Sequence, residues 1–209
     1  MFVTRTRINL AIAATTTAAA LFAAGCSSDD TDSMPGMEHG SSSSSAATSG
    51  APAARSDFND ADVTFLQMMY PHHAQAVEMA KLVPTRSGNP QLLALAAEVE
   101  KAQAPEMQQI STMLASFGKQ APTASGGHSG HDMAGMMTPE QMSALQAASG
   151  VEFDRQWMTM MIDHHTGAIA MANTELTSGA NSEAKALAGA IIAAQQAEIG
   201  TMRAMLGQG

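Results

Sequence analysis

The sequence predicts an all-α protein, a four-helix bundle made of two copies of one helical hairpin. Three observations lead there. Shifting the chain against itself by 92 positions aligns residues 61–114 with the second half without a gap, and about a third of the positions are identical. Within each copy the apolar residues recur in alternating steps of four and three, the helical period. Strand signals are absent from both copies.

The elements follow in order. Phe65, Met69, His72, Ala76, Met79 and Val83 form one stripe and predict the first helix. Residues 84–90, Pro-Thr-Arg-Ser-Gly-Asn-Pro, are a dense breaker cluster that suits a tight connection between antiparallel neighbours. Leu92, Ala96, Val99, Gln103, Glu106, Ile110, Met113 and Phe117 predict the second helix. A short extra helix precedes the second copy: Thr138 is an N-cap, Pro139 sits at the first helical position, and Gln141 completes a capping box before Met142 and Leu145. The second hairpin repeats the design with Trp157, Met161, His164, Ala168 and Met171, a turn near 178–181, then Ala188, Ile191, Gln195, Glu198, Met202 and Met205.

Outside these segments the chain reads as address and linker. Arg5 and Arg7 precede a nearly uncharged run over 8–24, too short and alanine-diluted to span a membrane, which predicts a removable export signal over 1–25. Ala23-Ala24-Gly25-Cys26 resembles a bacterial lipobox, with Ala23 where leucine is usual, and predicts a lipid anchor on Cys26 to the outer face of the cytoplasmic membrane. Lipidation would also consume the chain's one thiol, which in an exported protein has no internal disulfide partner. Residues 26–56 read as a disordered tether, poor in bulky apolar residues. The first hairpin is expected over 57–118, a flexible Met/His-containing linker over 119–137, and the short helix with the second hairpin over 138–207. Without Arg5 and Arg7 the chain keeps eight basic against nineteen acidic residues, a formal charge of about −11, so nucleic acid is a poor partner. That acidity attracts cations without choosing among them.

The unusual content lies in the seams. The spacing that buries Phe65 and Met69 carries His72 inward, and the spacing that buries Val99 and Ile110 does the same for Gln103 and Glu106. His164, Gln195 and Glu198 repeat the pattern. A buried histidine or glutamate without a partner costs several kcal/mol, so these groups ask for one another or for an ion. Met69 and Met161 stand three residues before His72 and His164, Met68 and Met160 four before, and Met79 and Met171 seven after. Thioether sulfur suits Cu(I), and imidazole suits both copper states. Di-iron bundles use Glu-x-x-His, whereas Met-x-x-His stands here and only Glu106 and Glu198 remain as seam acids. The donor set therefore favours copper over iron.

Several roles stay open at this level. Glu106 and Glu198 are metal ligands or hydrogen-bonding partners of His72 and its counterpart. His73 and His165 fall beside the seam and ligate, orient a neighbour or face solvent. Pro71, before His72, and Pro105, before Glu106, kink their helices, or Pro71 starts one. Met34, Met37 and His39 in the tether, and His128, His131, Met133, Met136 and Met137 in the linker, form an auxiliary soft-ligand set. Met142, Met158 and Met107 read as core filling.

The duplicated Phe-Leu-x-Met-Met-x-x-His-His-x-x-Ala-x-x-Met-Ala over 65–80, its partner over 157–172, and Gln-x-x-Glu at 103–106 and 195–198 resemble domain of unknown function family 305. The resemblance spans about 57–206. It implies a ferritin-like four-helix bundle in exported bacterial proteins, some associated with copper binding and resistance, with His72, His73, His164 and His165 as the signature. The leading expectation is an exported copper-binding protein, for Cu(I) and also Cu(II) or Ag(I), that buffers, sequesters or passes copper to a transfer protein. A ferritin-like di-metal or copper oxidase and a metal-free Met-rich interaction module are the alternatives.

Overall fold

A computed structural model describes residues 55–120, 122–123 and 133–207. The export signal, Cys26 and the tether ligands Met34, Met37 and His39 lie outside the described residues, as do His128 and His131. Five helices form the described part: α1 (Asp60–Arg86), α2 (Pro90–Ser116), α3 (Pro139–Ala147), α4 (Gly150–Ser178) and α5 (Ser182–Met205). It contains no strand.

Local chemistry sets the helix ends. Asn59 caps α1 in a capping box with Asp62, Asn89 caps α2 ahead of Pro90, and Asn181 caps α5 through the amides of Glu183 and Ala184. Thr138, Pro139 and Gln141 start α3 as expected. The breaker cluster acts later than its first proline suggests, since α1 runs through Pro84 to Arg86 and the turn is Ser87-Gly88-Asn89. Pro71 and Pro105 also lie inside continuous helices, so Pro71 does not start one. Each interior proline forfeits a backbone hydrogen bond at a cost of about 3 kcal/mol. Burial of Pro71 itself and of the long apolar stripe around it offsets that loss.

α1 pairs with α2 and α4 with α5 as two hairpins, and α1 against α4 joins them, while α2 and α5 touch only sparingly. Two apolar clusters result. One gathers Met79, Val83, Leu92, Val99, Trp157, Met161 and Met202, and the other Phe65, Leu66, Met69, Ile110, Leu114, Ala168 and Ile191. On every long helix the residues between the clusters are polar: His72 and His73, Gln103 and Glu106, His164 and His165, Gln195 and Glu198. The bundle therefore carries a polar layer between two apolar ones. No described helix is long and apolar enough to cross a membrane.

Candidate metal centre

His72 of α1 and His164 of α4 meet in that layer, with ring centroids 3.7 Å apart and planes tilted by 44°. Both are fully buried. Burial, reinforced by the positive charge His73 and His165 would carry, pushes His72 down to about 3, and only the Ala134 carbonyl opposes this. Burial and the other three histidines hold His164 well below the usual histidine range. Both rings are thus neutral at physiological pH, the form that offers a lone pair to a metal.

His73 and His165 do not fall beside the seam or face solvent, because both are fully buried. The reason is geometric. α1 packs on α4 along one flank and on α2 along another, so residues 72 and 73, about 100° apart on the helix, both point inward. Glu106 lies 2.7 Å from His73 Nε2 and Glu198 lies 2.6 Å from His165 Nε2. Each glutamate therefore partners the second histidine of its pair, where the sequence pointed to the first. A carboxylate only accepts, so each Nε2 donates its proton to the glutamate, while each Nδ1 is buried without a hydrogen-bond partner.

A strap that the sequence did not reveal covers the histidine pair. The end of the linker expected to be flexible, residues 133–137, lies across α1 and α4. The Ala134 carbonyl accepts from His72 Nε2 at 3.3 Å. Gly135, at φ +84°, sits so close to α4 that a Cβ there would lie 2.6 Å from the Asp163 carbonyl oxygen. Gly167 faces the strap from the other side, and a Cβ on it would strike the Ala134 backbone. Gln75 fixes the far end, its amide donating to the Met137 carbonyl at 2.8 Å and its carbonyl accepting the Met137 N–H at 2.7 Å.

The methionines divide. Met69, Met79 and Met161 are fully buried, the first and last one turn from the paired histidines. Met68 and Met171 are half-buried and line a groove with Phe65 and Thr174, and Met160 lines another with Arg155 and Gln156. Met133, Met136 and Met137 stand on the strap.

The layer also holds most of the unpartnered buried side-chain atoms among the described residues. Nδ1 of all four histidines, Nε2 of His164 and both amide atoms of Gln103 and Gln195 are buried without a hydrogen-bond partner. Each such group costs about 1–3 kcal/mol. Among the described residues, no three His, Cys, Asp or Glu side chains converge as a metal cluster. The donors on offer are neutral imidazoles beside thioethers, which fit a soft ion rather than a hard one.

These features define a class of protein: a duplicated-hairpin bundle with a buried histidine pair from each repeat at its centre. The chain belongs to the domain of unknown function family DUF305, which it matches over residues 62–206. Solved structures of the family are similar over part of the chain. A candidate secreted protein from Streptomyces coelicolor shares 27% identity, with 71% of this chain and 93% of that one covered and a TM-score of 0.65. A DUF305 fragment from Deinococcus radiodurans shares 31% over 72% and 97%, with a TM-score of 0.64. CopM in its Cu(II)-bound form shares 33% over 69% and 94%, with a TM-score of 0.61. CopM has also been solved with Cu(I) and with Ag bound. No protein of curated function matches the chain.

Proposed function

We propose that this protein is an exported copper-binding protein that buffers or sequesters copper, with the buried layer as its binding site. One observation carries the reading: two neutral, fully buried imidazoles, His72 and His164, stand in contact with unpartnered ring nitrogens, one helical turn from Met69 and Met161. In this reading the two imidazoles and the two thioethers supply the donors for Cu(I) or Ag(I), which prefer neutral, soft ligands. His73 and His165 add lone pairs at Nδ1, and Glu106 and Glu198 orient those rings from behind. The apolar clusters on either side exclude water, and the strap closes the layer above His72. That CopM binds Cu(I), Cu(II) and Ag supports the same class of ion here. Met79 belongs to the outer part of the same donor set, while Met68, Met160 and Met171 serve capture at the surface.

The address follows from the first residues. Export through the signal over 1–25, lipidation of Cys26 and a tether over 26–56 would hold the bundle of 57–207 at the outer face of the membrane, within reach of a copper-transfer protein. Competition against a chromophoric Cu(I) chelator under anaerobic conditions tests the site. The wild-type protein is expected to take Cu(I) from the chelator and the H72A/H164A variant to lose that ability. Equal competition by the two proteins would sink the reading.

A further inference from the structure

A second cluster of soft donors lies outside the histidine layer. Between the strap, α1 and α3 opens a cavity of about 230 Å³ lined in part by Met136, Met137 and Met142. Gln75, Glu78 and Pro71 of α1 form the facing wall. Met137 and Met142 reach this cavity from the apolar core, and Met136, half-buried on the strap, reaches it from the loop, so three thioether residues border one opening.

We infer that this cavity is a distinct binding site for a soft monovalent cation, Cu(I) or Ag(I), held by the thioethers of Met136, Met137 and Met142 beside the Glu78 carboxylate. The inference deepens the copper-binding reading and rests on it for the identity of the ion. Thioethers are neutral and weak, so such a trio discriminates against zinc, calcium and magnesium, which want harder or charged donors. Glu78 is exposed at the rim, where its charge attracts the cation and compensates it on binding.

The donors stand on fixed elements. Gln75 grips both backbone groups of Met137, and the Thr138–Gln141 capping box launches the helix that carries Met142. The site also adjoins the histidine layer. Pro71 lines the cavity and the next residue is His72, whose other neighbour is the strap carbonyl of Ala134. An ion collected here waits on the solvent side of the strap that seals the histidine pair.

The test titrates Ag(I), a diamagnetic probe, into the full chain labelled with 13C at its methionine methyls. Met→Leu substitutions assign the signals, keep side-chain volume and remove sulfur. The Met136, Met137 and Met142 methyls are expected to shift in the wild type and again in H72A/H164A. The M136L/M142L variant is expected to lose one Ag(I) equivalent and keep the one bound by the histidines. Unshifted Met136 and Met142 methyls at saturating Ag(I), or unchanged stoichiometry in M136L/M142L, would overturn the inference. Failure of the histidine reading looks different: the cavity methyls respond while H72A/H164A costs no Ag(I). If H72A/H164A does not fold by circular dichroism, wild type against M136L/M142L decides alone.

Discussion

Removing one proton-binding group should change how the fold responds to pH. Glu175, near the end of α4, is buried against Asp62, near the start of α1. The two carboxyl groups meet over Gly179, where a Cβ would lie 2.8 Å from an Asp62 oxygen and 2.6 Å from the Glu175 carboxyl carbon. Burial alone would raise Asp62, but hydrogen bonds from Asn59, Asn181, Glu175 and Ala180 outweigh it and hold this carboxylate below its usual range. Burial, then the hydrogen bond to Asp62 and its negative charge, push Glu175 up from 4.5 to about 7, with Lys185 opposing. Asp60 faces the same groove. Because the folded protein holds a proton that the unfolded chain has released, this contribution is complete below about pH 4.5, declines as pH rises and is gone above about 7. The shift corresponds to about 3 kcal/mol, which relaxation and screening reduce to about 1–2 kcal/mol. In E175Q an amide donates to Asp62 at every pH. The stability of E175Q minus that of wild type should therefore be larger at pH 8 than at pH 5 by about 1–2 kcal/mol. Urea unfolding followed by Trp157, the one tryptophan and fully buried, reads the difference. Histidine titration contributes equally to both proteins and cancels. The same difference at both pH values would refute the shared-proton account.

Four further outcomes are expected. G167A drives a methyl into the Ala134 backbone, so it should lift the strap, cost about 1–3 kcal/mol and raise the rate at which diethyl pyrocarbonate modifies His72; an unchanged rate by mass spectrometry contradicts the strap as a cover. E106Q and E198Q should each weaken Ag(I) binding about 10–100-fold with the helical spectrum intact, because each removes the carboxylate behind a ring; calorimetry showing unaltered affinity excludes that role. M69L/M161L should cost less than about 1.5 kcal/mol in stability yet lower the preference for Cu(I) over Zn(II), since volume is kept and sulfur lost; equal selectivity would make both residues core filling. Long-range 15N correlation spectra should find His72, His73 and His165 protonated at Nε2 in the metal-free protein, and an Nε2 without its proton on His73 or His165 would contradict the glutamate pairing.

Much of the fold was legible because the helical period is strong and occurs twice. The seam stripe placed His72, His164, Gln103 and Gln195 inside, and all four are buried. One stripe assumes one buried face, however, and α1 and α4 each face both a hairpin partner and one another. That second interface buries His73 and His165 and redirects Glu106 and Glu198 to them, which a single-helix pattern cannot express. Interior prolines were also misleading. Pro84 reads as a stop, yet its helix continues for two exposed or half-buried residues and closes where the Ser87 N–H donates to the Val83 carbonyl.

The strap was hidden for a more instructive reason, and its trace lay where the two copies disagree. Gln75 and Gly167 occupy equivalent positions 92 residues apart, and both serve the same segment. A duplicated bundle offers two equivalent flanks to whatever crosses its centre, but one strap can satisfy only one arrangement. Gln75 reaches out and clamps Met137, while the opposite flank must yield space, which only glycine supplies. A second glutamine at 167 would collide with Ala134, and a second glycine at 75 would leave Met137 unheld. The departure from the repeat makes the two central histidines chemically different. His72 is oriented by the Ala134 carbonyl, with Nδ1 left as its lone-pair nitrogen, whereas His164 keeps both nitrogens unpartnered. Duplication supplies the paired imidazoles, and the single strap decides which of the pair is held by a hydrogen bond and which is left without one.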